Sequence, residues 1–263
     1  MKIHYIIPKQ KFDDSEIENI KHELLKIDSK KLNIFYSYQY ENLYKIIREF
    51  LKDKNIISLE SIHSKKENVI LGCDFFKLDY DVLAIVENNF HLIPVLHSSV
   101  RKARNIYFLN PLIQKLEKIE FIKDIKCKKY FFDLSPSFYS KFYLNQLERK
   151  KFQIKYSDLV SYAEKEIRKI ILKLINEKNI AVIISSKIGQ KNFLIYYKLK
   201  SLFEKTDKLL IPIIFDKIED LENFYPIKLF INTACPRIAE DHENVINAYD
   251  LIKIIENEKL HFD

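Results

Sequence analysis

Three cysteines are the residues of this sequence best suited to chemistry such as metal binding: Cys73, Cys127 and Cys235. Cys73 in VILGCD and Cys235 in FINTACPR each follow a short apolar run that is typical of a buried strand. Ligands of open α/β sheets bind beyond the carboxyl ends of the strands, so both thiols occupy a position suited to a metal or cluster ligand. The competing interpretation is that each is an ordinary buried cysteine.

The neighbours of these two cysteines favour a reactive thiol. Gly72 lets the backbone approach a bulky group next to Cys73. Pro236 suits the first position of a following helix, and Arg237 places a fixed cation beside Cys235, which would favour the thiolate. The spacing matches neither a zinc ribbon nor a local cluster motif. From the residues alone, the ligand role and the structural role therefore both stay open.

Two further polar positions follow predicted strands. His91 comes after the apolar run 82–86 and is either a functional residue or a hydrogen-bonded loop residue. Gly189 and Gln190 come after the run 181–185, where backbone and hydroxyl donors could hold an anionic group. A plain strand-to-helix turn would explain the second position equally well.

Composition excludes several classes of nucleotide and hydrolase site. The 263 residues include only two glycines, which rules out a Walker A loop, a GxGxxG fingerprint and a GxSxG elbow. An odd number of widely spaced cysteines argues against a disulfide framework. With no long apolar run and no signal-like start, we expect a cytoplasmic protein that does not enter a membrane. The net charge of +7 is too modest to indicate nucleic-acid binding by itself.

Short apolar runs that alternate with helically spaced segments predict an α/β fold with mostly parallel sheets. The pattern at 15–18 predicts a capping box that opens the first helix. We expect two similar three-layer α/β domains, at 1–118 and 156–263. Residues 119–155, rich in lysine and aromatic residues and containing Cys127, are predicted to be a connector or insertion. The predicted strands are 32–36, 56–59, 69–71, 82–86, 106–109, 181–185, 209–215, 229–232 and 245–248.

Several blocks of the sequence resemble a known family. NTACPRIAED at 232–241 closely resembles the last-domain signature of the diphthamide-synthesis family, the 2-(3-amino-3-carboxypropyl)histidine synthases. LGCD at 71–74, followed by NFH at 89–91, resembles the middle-domain signature of archaeal members. SKIGQ at 186–190 is similar to the family's last-domain turn, and YQY at 38–40 fits the middle domain. The blocks occur in the family's order.

The resemblance implies a specific chemistry. Such proteins have three similar α/β domains, and each domain gives one cysteine to a [4Fe–4S] cluster. The open iron holds S-adenosylmethionine and cleaves it to a 3-amino-3-carboxypropyl radical, which adds to a histidine of translation elongation factor 2. Carried over by motif, the cluster ligands are Cys73 and Cys235, and the cofactor-binding residues are His91, Gly189, Gln190 and Arg237.

The sequence also departs from the family pattern. It is too short for three such domains, and Cys127 matches no family motif. Either Cys127 or a related chain in a homo- or heterodimer would complete the ligand set, or the protein is a non-catalytic subunit that supports such a complex. A less favoured alternative is a basic α/β protein that binds RNA around residues 116–155.

Overall fold

The computed structural model of the chain describes residues 11–36, 38–53, 55–60, 80–87, 89–100, 105–186, 191–215, 221–236, 238–258 and 260. For residues 38, 55–60, 89–91 and 222 it describes the backbone alone. The chain divides into two compact units. The first comprises Met1–Ile125 and Lys141–Tyr156, and the second comprises Lys126–Ser140 and Ser157–Asp263.

The first unit is built around a six-stranded sheet. Its strands are β1 (Lys31–Tyr36), β2 (Asn55–Glu60), β3 (Asp81–Ile85), β4 (Ile106–Asn110), β5 (Lys115–Ile122) and β6 (Gln153–Lys155). They lie in the order β2-β1-β3-β4-β5-β6, in which β4 and β5 pair antiparallel and the other neighbours pair parallel. The inner strands β1 and β3 are nearly continuous apolar runs, as parallel strands covered on both faces should be.

Helices cover both faces of this sheet. They are α1 (Asp14–Leu24), α2 (Glu41–Phe50), α3 (Asn89–Val100) and α4 (Ser140–Glu148). Leu24 of α1 and Ile47 of α2 are buried in one apolar cluster with Leu83 and Ile85 of β3. Ala84, which alternates with these two residues, is also fully buried, and α3 packs against the same strand. Each such aliphatic side chain contributes about 1.5–3 kcal/mol on burial, so the sheet is the stabilising core of this unit.

The first helix begins two residues earlier than the predicted capping box. Asp13, not Ser15, is the N-cap: its Oδ1 accepts a hydrogen bond from the backbone N–H of Glu16 at 2.9 Å. The Glu16 carboxylate accepts from the backbone N–H of Asp13 at 3.1 Å, which completes the reciprocal box. An aspartate and a glutamate three residues apart satisfy the same rule as Ser15 and Glu18, and the structure selects the earlier register.

Replacing Asp13 with alanine is expected to lower the free energy of unfolding by about 1 kcal/mol, because the backbone N–H of Glu16 loses its acceptor. Urea denaturation followed by circular dichroism measures this. Ser15→Ala is the matched control and should change stability by no more than about 0.5 kcal/mol. A larger loss for Ser15→Ala than for Asp13→Ala would contradict the observed cap.

The second unit contains a fully parallel four-stranded sheet. Its strands are β7 (Asn179–Ser185), β8 (Leu209–Phe215), β9 (Leu229–Asn232) and β10 (Val245–Asn247), in the order β10-β9-β7-β8. The helices are α5 (Tyr156–Asn176), α6 (Phe193–Phe203), α7 (Ile238–Asp241) and α8 (Ala248–Glu258). Parallel strands need long crossover connections, and in this unit helices provide them.

Alternation along β7 shows that this sheet is also the middle layer of three. Val182 belongs to an apolar cluster that includes Leu199 of α6 and Leu251 of α8. Its neighbour Ile183 belongs to a second cluster, against which Ile238 of α7 packs. Successive strand residues point to opposite faces, so both faces are covered. The predicted α/β fold with mostly parallel sheets is confirmed.

The predicted connector at 119–155 is not one continuous element. Residues 115–122 form β5, whose alternating burial belongs to a sheet strand, and residues 153–155 form β6 beside it. Residues 126–140 group with the second unit and 141–156 with the first. The mixed lysine and aromatic composition arises because the lysines of 119–155 are exposed, whereas most aromatic residues of 129–143 point into the interior. No helix in the described part of the chain is both long and apolar enough to cross a membrane.

Candidate functional site

Cys235 lies between the carboxyl end of β9 and the short helix α7, which is the position predicted from the sequence. We refer to residues 233–236 as the Cys235 turn. Cys235 itself is half-buried. The backbone N–H of Ile238 donates to the Cys235 carbonyl oxygen at 3.1 Å, and that of Ala239 donates to the Pro236 carbonyl at 3.2 Å. The turn is therefore continued directly into the helix by hydrogen bonds.

Asn232, the last residue of β9, fixes the first half of the Cys235 turn. Its Oδ1 accepts from the backbone N–H of Ala234 at 2.9 Å, and its Nδ2 donates to the Cys235 carbonyl at 2.9 Å. Short amide side chains readily bond the backbone two and three residues ahead, which stabilises a tight turn. Asn232 is buried, so these bonds are shielded from water.

A second anchor ties the Cys235 turn to the central strand β7. The backbone N–H and the hydroxyl of Thr233 both donate to the Ile183 carbonyl oxygen, at 3.1 and 2.8 Å. The chain therefore stays attached to β7 for one residue beyond the end of β9. The position of the thiol is set by two strands of the sheet.

Asn247, at the end of β10, joins the Cys235 turn to a distant segment. It is the register partner of Asn232 and accepts from Asn232 Nδ2 at 2.9 Å. Its own Nδ2 donates to the Pro236 carbonyl and to Ser137 Oγ, both at 3.0 Å. The two amides thus use all four of their N–H donors on identified acceptors.

A buried carboxyl group completes this network. Asp250 accepts from the backbone N–H of Ser135 and from Ser135 Oγ, both at 2.6 Å. Ser135 Oγ also lies 2.7 Å from Ser137 Oγ, which Asn247 contacts. Burial raises the pKa of Asp250 to about 6, although the hydrogen bonds from Ser135 and the nearby amide of Asn247 act in the opposite direction. The network therefore contains a group that titrates in the mildly acidic range.

The carboxyl edge of the first sheet carries a separate polar group. Glu87 lies just beyond β3, and its Oε2 accepts from the Tyr40 hydroxyl at 2.8 Å. Asn110, at the end of β4, donates to the Glu87 carbonyl at 3.2 Å. Burial, and then the contact with Glu87, raise the pKa of Tyr40 above its ordinary value, so Tyr40 is the donor.

The two histidines near this edge differ in their positions. His91 lies in the first turn of α3, which begins at Asn89 just past the carboxyl end of β3. The alternative that His91 is a loop residue is therefore wrong, because the helix begins before it. His97, two turns later, is buried, and its Nδ1 lies 3.4 Å from the Tyr143 hydroxyl. Its burial and this contact make His97 a residue of the core.

The remaining predicted site residues divide into two groups. Cys127 is half-buried and precedes the turn at Lys129–Asp133 in the second unit. The others lie outside the described residues: Cys73, Gly189, Gln190 and Arg237. Across the ranges that the structure describes, no three His, Cys, Asp or Glu side chains come close enough together to hold a metal ion.

Sequence reasoning missed the residues that support the Cys235 turn. Ser135 and Ser137 fall in the segment predicted to be a connector or insertion, and Asp250 follows the last predicted strand. The Ser-Pro-Ser string at 135–137 is a local signal, because serine before proline commonly opens a helical turn. The structure shows this: Ser135 Oγ accepts from the backbone N–H of Phe138 at 3.3 Å.

Burial of the aromatic residues in 129–143 bears on the RNA alternative. Phe131, Phe132, Tyr139, Phe142 and Tyr143 are all buried. Single-stranded nucleic acid is bound by aromatic rings that are exposed for stacking with bases. These five rings pack inside the protein and are not such a platform.

The sequence is similar to one known protein family along most of its length. The family model of diphthamide synthesis proteins matches residues 1–132 and 137–253. The 2-(3-amino-3-carboxypropyl)histidine synthase of Methanocaldococcus jannaschii is 31% identical over 101 residues, which are 38% of this chain and 30% of that protein. The match therefore spans less than a third of that curated relative.

Solved structures extend the comparison to the fold. Two crystal structures of Dph2 from Pyrococcus horikoshii, one of them with a 4Fe-4S cluster, align with TM-scores of 0.60. The identities are 18% and 17%, and each alignment covers 94% of this chain and 64% of the solved chain. At these identities the likeness concerns the fold. Because the family model matches nearly the whole sequence and the fold agrees with it, the chain belongs to the diphthamide synthesis protein family.

Proposed function

We propose that this chain takes part in the first step of diphthamide biosynthesis. In that step a 3-amino-3-carboxypropyl group passes from S-adenosylmethionine to a histidine of translation elongation factor 2. The observation that carries the proposal is the Cys235 turn: a half-buried thiol at the carboxyl end of a parallel strand, in a member of the diphthamide synthesis family. Ligands of open α/β sheets bind at this edge, and a thiolate is the protein ligand that iron–sulfur clusters require.

The residues of the turn fit a cluster ligand. The hydrogen bonds at this site engage the carbonyl of Cys235 through Asn232 and Ile238, which leaves the sulfur out of the bonds that shape the turn. The sulfur of a cluster ligand must be held in position and must also be able to bind iron. Hydrogen bonds to the groups around the ligand hold it in position. We propose Cys235 and Cys73 as ligands of a [4Fe–4S] cluster, with the third thiolate from Cys127 or from a cysteine outside this sequence.

The other proposed site residues would bind the cofactor and orient the reacting groups. When bound, the cluster would supply the electron that cleaves S-adenosylmethionine and an open iron to hold it. Gly189, Gln190, Arg237 and His91 are proposed to bind the cofactor. The chain's part is to orient the reacting groups and exclude water, which prevents the reactive fragment from being quenched. We further propose a cytoplasmic protein that works as a homo- or heterodimer with a related subunit.

The test is the iron content and turnover of anaerobically purified protein. We expect iron and acid-labile sulfide in a near one-to-one ratio. With a reductant and S-adenosylmethionine, loss of the aminocarboxypropyl group should leave 5′-methylthioadenosine, and omission of the reductant is the control. Addition of elongation factor 2 should transfer the group to its histidine, and a factor with that histidine replaced should receive none.

Two other outcomes would change the assignment. A cluster without any turnover, alone or with a related subunit, would make the chain a supporting subunit. Absence of iron after anaerobic reconstitution, together with RNA affinity that falls steeply with salt, would contradict the proposal and favour the RNA-binding alternative.

A further inference from the structure

We propose that Asn247 is a positioning residue for Cys235, and that through it the segment 135–137 controls how the thiol is presented. This inference rests on the proposed function of Cys235 as a ligand and goes beyond it. Asn247 is twelve residues away in sequence and belongs to another strand, β10. No hydrogen bond of the Asn247 side chain involves the sulfur, so it acts through the backbone of the Cys235 turn.

Asn247 acts on both halves of the Cys235 turn. Its Oδ1 accepts from Asn232 Nδ2 at 2.9 Å and so orients the amide that binds the Ala234 N–H and the Cys235 carbonyl. Its Nδ2 holds the Pro236 carbonyl at 3.0 Å, on the other side of the cysteine. The backbone on both sides of Cys235 is thus fixed by one side chain, directly or through one intermediate.

The remaining donor of Asn247 reaches the segment 135–137. Its Nδ2 donates to Ser137 Oγ at 3.0 Å, and Ser135 beside it is held by the buried Asp250. Asn247 is 6% exposed and Asp250 is 2% exposed, so water does not compete for these contacts. A buried network in which every donor is used has one favoured arrangement, and loss of one member leaves the others unsatisfied.

Asn247→Asp tests the inference, because the side chain keeps its shape and loses both N–H donors. The rate at which iodoacetamide alkylates Cys235 is measured by mass spectrometry of its peptide, in protein freed of iron by chelation. Loss of two hydrogen bonds should open the turn more often and raise this rate about 5- to 30-fold. In protein loaded with iron, the same variant should change the electron paramagnetic resonance signal of the reduced cluster.

A matched control separates positioning from stability. Leu199→Ala removes a buried side chain of α6 in the same unit and should lower the unfolding temperature without raising the Cys235 alkylation rate. An unchanged rate in Asn247→Asp, or an equal rise in Leu199→Ala, would overturn the inference. If Asn247→Asp does not fold, Ser137→Ala removes one acceptor only, and the inference then requires a smaller rise in the same direction.

Failure of this inference is distinguishable from failure of the proposed function. The alkylation rate needs no cluster, so it decides the role of Asn247 even if the protein binds no iron. Conversely, suppose that the natural protein binds iron and turns over, and that Asn247→Asp leaves both the alkylation rate and the signal unchanged. The proposed function would then stand, and the positioning role of Asn247 would be refuted.

Discussion

Replacement of Cys235 with alanine is expected to remove most of the bound iron and acid-labile sulfide and to lower turnover by more than about 100-fold. Loss of a residue that merely orients a ligand typically costs 10- to 100-fold, and loss of the ligand itself should cost at least as much. The fold should survive, because the bonds from Asn232 and Ile238 use the carbonyl of Cys235. Iron and sulfide assays and the visible absorption of the anaerobic protein measure the effect.

Variants of the other two cysteines and a control variant show whether the effect is specific to the cluster ligands. Cys73→Ala should have the same effect as Cys235→Ala, and Cys127→Ala decides whether the third thiolate comes from this chain. Thr206→Ala is the matched control, since it also removes a polar group from a half-buried residue of the second unit and leaves all three thiols. Full iron content in both Cys73→Ala and Cys235→Ala would contradict the proposed ligands.

The position of the Cys235 thiol could be predicted because it depends on local sequence. An apolar run followed by a polar turn places the end of β9 within a residue or two, and the parallel architecture then places Cys235 at the ligand edge. The same reasoning found the neighbouring strand β7. Patterns of this kind need only neighbours along the chain.

The support of that thiol could not be predicted, because it depends on distant residues. Asn247 and Ser137 are 110 positions apart, and Asp250 and Ser135 are 115 apart. No periodicity in a single sequence relates such pairs. Serine, asparagine and aspartate are also common in loops and caps for purely local reasons, which makes their presence uninformative.

Local rules also leave choices of register open. Asp13–Glu16 and Ser15–Glu18 both satisfy the capping-box pattern, and only the packing of α1 selects one. In the segment 119–155 lysines and aromatic residues are mixed, and burial sorts them only once the fold is formed. The sequence therefore predicted a connector or insertion over 119–155, where the structure has part of β5, all of β6 and residues of both units.

A pH titration of stability should show the cost of burying Asp250. In the folded protein burial raises the pKa of this carboxyl from 3.8 to about 6. Below pH 4 the group is protonated in both states. Between pH 4 and 6 the unfolded chain releases the proton while the folded protein retains it, so stability falls as the pH rises. Above pH 6 both states are ionised and the loss is complete.

The expected size follows from the difference between 6 and 3.8. One pKa unit corresponds to about 1.4 kcal/mol, so the loss between pH 4 and 7 amounts to about 3 kcal/mol. Other carboxyls act in the opposite direction: the contact with Tyr130 lowers the pKa of Glu258, and that with Lys26 lowers the pKa of Glu23. The total curve therefore combines contributions of opposite sign and does not isolate Asp250.

Asp250→Asn isolates the contribution, because asparagine cannot titrate and keeps an oxygen for the Ser135 backbone N–H. Urea unfolding at several pH values gives the difference in stability between variant and natural protein. The variant should gain relative to the natural protein as the pH rises from 4 to 6 and then run parallel to it. A difference that is constant across this range would mean that the Asp250 carboxyl ionises in the folded protein as easily as in the unfolded chain. The hydrogen bonds from Ser135 and the nearby Asn247 amide, which favour the charged form, would then offset the whole cost of burying the carboxylate.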